Sequence, residues 1–486
     1  MGISVENFFL NPQAPGTLQS RIQQMVAEGI LSGRFQVGDK LPSSRRLARH
    51  LGVSRITVTM AYTEMVANDY LSSRGRSGFY VSDNAPVPPR YTPLERTAET
   101  VDWSRAIARR YAGGDRLSKP SDWRNYRYPF IYGQADPTLF DHANWRLCAV
   151  RALGQKDFAS LTADYVDQDD PLLIEFIASH TLPRRGINAR PEEILITLGA
   201  QNALWLAAQL LLNRKRTAAI EDPCYFSLRE LLVGMCGTII PVPVDRDGLP
   251  PDQIPDNVDV IFTTPSHQSP TTATMPDARR RQLLDRARAI DAMIVEDDYE
   301  FEMSYLGAPS PALKSTDKDG RVIYVGSFSK SLFPGLRLGY IVGSETFIRE
   351  ARALRSLILR HPPGHIQRTA AYFLSLGHYD AQIRRTSSAM KLRREALQDA
   401  IVRHGLTIAG KAAFGGSALW MQAPDHIDTA ALSRNLQDAS VYIEPGKSFF
   451  SGTGRPRSFY RLGYSSIPTE RIEPGIERIA QAISGN

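Results

Sequence analysis

The sequence predicts an α/β protein in two parts. A small winged helix-turn-helix unit covers residues 1–81, and a larger domain built on a mostly parallel sheet covers residues 126–486. Three observations carry this expectation. A chain of 486 residues is too long for one ordinary domain. Its first part sets apolar residues at helical spacing between turn signals, whereas from about Tyr126 short β-rich runs alternate with amphipathic stretches. Between the two, residues 82–125 are rich in Pro, Gly and charge (NAPVPPRYTP, RRYAGGDRLSKPSDWR), the composition of an extended linker interrupted by a brief helical piece near Trp103–Arg110.

In the first part, Leu18, Ile22, Met25, Val26, Ile30 and Leu31 mark a helix within Thr17–Arg34. QVGDKLPSS is a turn, with Ser43 or Ser44 placed to cap the next helix, whose apolar face is Leu47, Ala48 and Leu51. Gly52 permits a tight turn and Ser54 caps a second helix with Ile56, Val58, Ala61, Tyr62 and Met65 on its apolar side. Two short helices joined this way can set the second in a DNA major groove, with Ser54, Arg55, Thr57 and Thr59 near the groove. DYLSSRGRSGFYV then reads as two strands around a Gly-rich tip carrying Arg74 and Arg76. Residues 1–81 hold one Lys and eight Arg against five carboxylates, a net +4 that suits a polyanion. A plain helical dimerisation module with solvated arginines is the alternative.

In the second part the strand-like runs are EEILIT, AAIEDP, TIIPVPV, DVIFTTP, AMIVEDD and VIYVGS, separated by stretches such as Gln201–Leu212 and Asp277–Ile290. Functional residues of a parallel sheet lie on loops at the carboxyl ends of its strands. One such loop, GSFSKSLFPGLRLGY, gathers Ser327, Ser329, Lys330 and Arg337. Schiff-base chemistry needs a lysine that can be neutral, and phosphate recognition needs hydroxyls and a guanidinium. ITLGAQNALW places a Gly turn before a helix whose first residues, Ala200 and Gln201, make a phosphate cup. AMIVEDDYEFE puts Asp297 and Tyr299 at the end of a buried strand, EDPCYF offers Tyr225 as a ring to stack on a cofactor, and TTPSHQSPTT offers His267 or Gln268. YRLGY puts Arg461 on a strand.

Composition excludes several classes. The longest apolar stretch, near Ala203–Leu212, is too short to span a bilayer, and the N-terminus lacks the features of a secretory leader, so a cytoplasmic location is expected. Cys148, Cys224 and Cys236 form no CxxC pair, which argues against a zinc site or disulfide framework; no metal is expected.

LPSSRxLAxxLGVSRxTV with its basic wing resembles the GntR-type winged helix, and the fifteen-residue lysine string resembles the lysine loop of fold-type-I aminotransferases. A reader, a Pro-rich linker and such a domain in one chain resemble the MocR group of bacterial regulators of γ-aminobutyrate, pyridoxine and taurine metabolism. The resemblance implies a large α/β subdomain with a small C-terminal α+β subdomain from about residue 375. It implies pyridoxal 5'-phosphate (PLP) as cofactor, an internal aldimine on Lys330, Asp297 at the pyridine nitrogen and Tyr299 at the phenolic oxygen. Arg461 then grips an effector's acid, and Arg45, Arg55, Arg74 and Arg76 contact double-stranded promoter DNA. It further implies a head-to-tail dimer with swapped reader domains, and a small amine or amino-acid effector that displaces Lys330. The same residues also serve a working aminotransferase with an accessory DNA-binding domain; the intact reader separates the two. Two segments depart from the family: Pro270-Thr271-Thr272 stands where PTG is usual, and VDQDDPLLIEF (166–176) replaces a Gly- and Arg-containing stretch.

Overall fold

The computed structural model describes residues 2–11, 15–86, 100–108, 111, 119–164, 166–308, 310–411 and 413–485. Two compact units emerge, Met1–Arg110 and Tyr111–Asn486. Half of the stretch read as a linker lies outside the described residues; within it Trp103–Ala106 form a single helical turn.

In the first unit three helices, α1 (Leu18–Leu31), α2 (Ser44–Leu51) and α3 (Arg55–Ala67), precede an antiparallel pair, β1 (Leu71–Ser73) and β2 (Phe79–Val81). Each helix begins where a hydroxyl satisfies a free N–H of the first turn: Thr17 for α1, Ser43 for α2 and Ser54 for α3. Gly52 closes α2 in the left-handed region (φ 67°), which lets the chain reverse into α3. Ile22, Val26 and Ile30 of α1 pack with Leu47, Val58, Tyr62 and Met65. Ile56, read as part of the apolar side of α3, is instead 72 % exposed. At about 100° per residue it stands some 200° round the helix from Val58, off the buried stripe of Val58, Ala61, Tyr62 and Met65.

The second unit is organised by a seven-stranded sheet. In chain order its elements are β3 (Ile194–Thr197), α4 (Ala200–Leu211), β4 (Thr217–Asp222), β5 (Thr238–Pro243), β6 (Val260–Thr263), β7 (Met293–Asp298), β8 (Val322–Ser327) and β9 (Gly339–Val342). The spatial order is β3-β9-β8-β7-β6-β4-β5. β4 to β8 pair in parallel, and β9 runs antiparallel to both neighbours. The middle strands are buried on both faces, which explains why they read as continuous apolar runs.

Three further helices, α5 (Glu345–Leu359), α6 (Gly364–Ser375) and α7 (His378–Arg403), lead to a second, antiparallel sheet. Its strands are β10 (Thr407–Ile408), β11 (Ala418–Gln422), β12 (Glu444–Pro445) and β13 (Phe459–Gly463), in the order β10-β11-β13-β12. The departing segment 166–176 is anchored by charge. Asp169 holds Arg355 at 2.7 Å and Arg352 at 2.9 Å, and Asp170 holds Arg368 at 2.6 Å.

Candidate functional site

On the reader unit, α3 and the wing carry exposed cations. Arg45, Arg55 and Arg74 are exposed and show no ion pair among the described residues. Ser54 and Thr57 meet one another instead: their hydroxyls lie 2.8 Å apart, and Ser54 accepts the Thr57 N–H at 3.0 Å. The Arg74 guanidinium sits 4.6 Å over the Tyr80 ring, with Lys40 Nζ at 5.6 Å from the same ring, so a tyrosine of the wing braces one cation of the wing and one from outside it. Lys40, in the turn before α2, went unread because nothing local links it to the wing. The side chain of Arg76 lies outside the described ones.

In the second unit, the carboxyl ends of β4, β6, β7 and β8 meet at one sheet edge. Because strand side chains alternate, Glu296 and Asp298 point away from Asp297 and are satisfied on their own side. Glu296 accepts the Leu313 and Lys314 N–H groups, and Asp298 binds Arg185 at 2.7 Å and Tyr324 at 2.8 Å. Glu221 accepts from Thr263 and Gln268. Asp297 differs: its Oδ1 is buried with no hydrogen-bond partner. Burial, then the Asp298 and Glu221 charges, push its carboxyl up to about 7. A protonated ring nitrogen would supply the missing donor.

Lys330 shows the complementary state. Burial pushes its amine down to about 7, opposed by Glu300 and reinforced by Lys119 and Arg461. Its Nζ lies 3.7 Å from the centroid of the Tyr132 ring, an aromatic plate that takes Arg461 at 3.8 Å as well. Gly133 (φ 72°) makes room, since a Cβ there would lie 2.5 Å from Lys330 Nζ. Tyr132 is set by backbone pairing: Phe130 N–H donates to Tyr442 O, and Gly463 N–H donates to Phe130 O.

The phosphate-cup residues also converge. Ser327 Oγ accepts the Ser329 N–H at 3.1 Å, and Ser329 Oγ is buried and unpartnered. Arg337, in the left-handed region at φ 52°, turns back so that Nη2 donates to Leu198 O at 3.2 Å. It stands against Gly199, the residue before Ala200 and Gln201, whose N–H groups begin α4. Hydroxyls, a guanidinium and a helix start share one corner, with Tyr225 on the loop after β4.

The polar atoms of Gln268 are used within the protein. Its amide nitrogen donates to Glu221, Pro223 O and Ser269 O, while its oxygen accepts from Thr271. Its neighbour His267 faces Tyr299, ring centroids 6.1 Å apart, with Nε2 3.4 Å from Glu300; burial pushes its imidazole pKa down, opposed by the Glu300 charge. Tyr299 is buried, and burial with the nearby Glu300 charge raises its phenol well above the usual range.

Arg461 does not stand free. It pairs with Glu444, directly opposite across β12 and β13, and its Nε and Nη2 both donate to Oε2 at 2.7 Å. Tyr132, Lys119 and Glu444 were given no role from the sequence, where they lie far from the lysine loop.

Comparison with known proteins agrees with this geometry. "Bacterial regulatory proteins, gntR family" matches residues 18–81, and "Aminotransferase class I and II" matches residues 139–479. The HTH-type transcriptional regulator TauR of Rhodobacter capsulatus is 56 % identical over 99 % of this chain and 100 % of its own length. The chain belongs to the MocR family of transcriptional regulators. The probable rhizopine catabolism regulatory protein MocR of Rhizobium meliloti is 29 % identical over 97 % of this chain and 95 % of its own. Among solved structures, the Pyrococcus horikoshii kynurenine aminotransferase complexed with PMP superposes with a TM-score of 0.68 at 26 % identity, covering 76 % of this chain and 95 % of that one.

The aminotransferase class I and II domain implies PLP as cofactor. The unpartnered Asp297 Oδ1 and Ser329 Oγ, beside a lysine that can be neutral, fit that group. No helix among the described residues is long and apolar enough to cross a membrane.

Proposed function

We propose that this regulator binds promoter DNA through residues 1–81 and senses a small amine or amino acid through residues 126–486, with residues 82–125 connecting the two. The observation that carries the proposal is the pairing of an unpartnered buried acceptor, Asp297 Oδ1, with a lysine depressed to about 7 in a chain that also holds a capped α3 and a cationic wing. Phosphate contacts from Arg45, Arg55, Arg74 and Arg76 position the reader, while Ser54, Arg55 and Thr57 begin the helix that reads base edges.

In the sensor, Ser327, Ser329, Arg337 and the N–H groups of Ala200 and Gln201 would hold the cofactor phosphate. Asp297 would keep the ring nitrogen protonated, Tyr225 would stack on the ring and Tyr299 would donate to its phenolic oxygen, while Gln268 fixes the loop that carries His267. Bound PLP supplies an aldehyde that condenses with amines. Lys330 provides the neutral amine that holds it, and Arg461 orients the acid end of an incoming effector, carboxylate or sulfonate alike. Any movement of Lys330 would change what packs against Tyr132, and a ligand would shift DNA binding by its differential affinity for the two arrangements. The reading includes a cytoplasmic location and the family's head-to-tail dimer with swapped reader units.

Promoter binding by the PLP-loaded chain, followed by fluorescence anisotropy during titration with taurine and γ-aminobutyrate, tests it. An affinity change with one amine in the native chain, absent in Lys330→Ala, is expected. DNA binding that never responds to an amine overturns the sensor reading.

A further inference from the structure

Arg461 is already compensated inside the protein. Glu444 is fully buried and takes both Nε and Nη2 of Arg461 on one oxygen, so an anion approaching this guanidinium also meets a carboxylate. That pair alone is neutral and gives weak electrostatic reason for an acid to settle there. The other oxygen, Glu444 Oε1, is buried without a hydrogen-bond partner, and 3.9 Å away stands Lys119 Nζ. Lys119 is about one-third exposed, donates to Tyr132 O, and lies 5.6 Å over the Tyr132 ring. The same ring carries Lys330 and Arg461. A Cβ on Gly133 would lie 3.6 Å from Lys119 Nζ and 2.5 Å from Lys330 Nζ, so both amines border one small space.

We propose that Lys119 is an effector-binding residue: with Arg461 it forms a two-cation hook for the monoanionic acid end of an amine whose nitrogen is directed at Lys330. This deepens the sensor reading above and rests on it. Arg461 and Lys119 together carry two positive charges against the single negative charge of Glu444, a net +1. That balance matches one carboxylate or sulfonate and disfavours an amine with no acid. Lys119 is the more accessible member, since its side chain is partly exposed and 3.9 Å from a carboxylate oxygen that makes no hydrogen bond.

The test is calorimetric titration of the PLP-loaded full chain with taurine, β-alanine and γ-aminobutyrate, and with ethylamine as an amine lacking the acid. Cofactor content is measured for each variant. The native protein is expected to prefer at least one ω-amino acid over ethylamine. Lys119→Met is expected to lower that preference by about tenfold or more, the loss of one charge-assisted hydrogen bond, and Lys119→Arg to recover most of it. Lys119→Met with the native preference overturns the hook while the sensor reading stands. Equal losses for ethylamine and the acids also overturn it, because the lysine then acts at the amine end. A native chain that binds none of the four overturns the sensor reading and this inference together.

Discussion

The depressed amine of Lys330 should destabilise the cofactor-free protein, and replacing it with Met should relieve that burden. The fall from the ordinary 10.5 to about 7 corresponds to about 5 kcal/mol, at 1.36 kcal/mol for each tenfold change. Attraction between the ammonium and the Tyr132 ring, and partial access of water, reduce the net burden to about 2–4 kcal/mol. Its pH dependence follows from proton counting. Between pH 7 and 10.5 the unfolded lysine keeps a proton that the folded one has lost, so native stability rises with pH through this window. Below pH 7 both forms are charged and the whole burden is present; above 10.5 both are neutral and it is gone. Cofactor-stripped Lys330→Met should therefore unfold at higher urea than native protein at pH 7, with the gap narrowing steadily toward pH 10.5. Other titrating groups are common to both proteins and cancel in the difference. A gap that stays constant from pH 7 to 10, or a variant less stable at pH 7, would refute a desolvated Lys330.

Four further outcomes are expected. Asp297→Asn should weaken PLP binding about 10- to 100-fold in equilibrium dialysis, since a charged acceptor for the ring nitrogen is replaced by a neutral amide; undiminished affinity would place the ring elsewhere. Asp169→Ala leaves Arg355 buried without its carboxylate and should cost about 3–5 kcal/mol in guanidinium unfolding, so a loss under 1 kcal/mol would contradict the ion-pair anchor. Thr272→Gly should stabilise by about 1 kcal/mol, because a β-branched residue stands at φ 62° with its hydroxyl buried and unpartnered; a lower melting temperature would show that the threonine is needed. Arg74→Ala should weaken DNA binding alike for all sequences and reduce the slope of log affinity against log salt by about 0.9, with an unchanged slope excluding a phosphate contact.

The α/β architecture was legible because β6, β7 and β8 are buried on both faces and so appear as unbroken apolar runs with turn signals at either end. The lysine loop was legible for a related reason: phosphate and amine chemistry need Ser327, Ser329, Lys330 and Arg337 within one turn of chain, so the residues stand together in sequence. Ile56 was misplaced because an apolar residue beside a buried stripe invites inclusion, although the helical angle puts it on the exposed side. The pairing of Arg461 with Glu444 follows from the register of β12 against β13, which no local pattern encodes. Tyr132 and Lys119 reach the site only through the pairing of residues 128–130 with the C-terminal part of the chain. Thr272 shows the converse: a departure from PTG visible in sequence acquired its meaning only once the backbone there proved to be left-handed.

On the proposed sensor reading, the groups around Lys330 let a regulator use an aminotransferase-like pocket as a switchable binding site. A tenfold change in DNA affinity requires a difference of only about 1.4 kcal/mol in how tightly the effector binds the two arrangements of the protein. One charge-assisted hydrogen bond gained or lost supplies about 1.5–3 kcal/mol. Lys119 and Lys330 share the Tyr132 plate, and Arg461 stacks on it while tied to Glu444. An effector that moved the Lys330 amine and drew off Lys119 would alter two of the three nitrogen groups on one ring. On the proposed reading signalling needs occupancy and charge alone, since either change is large enough to shift the balance between two arrangements.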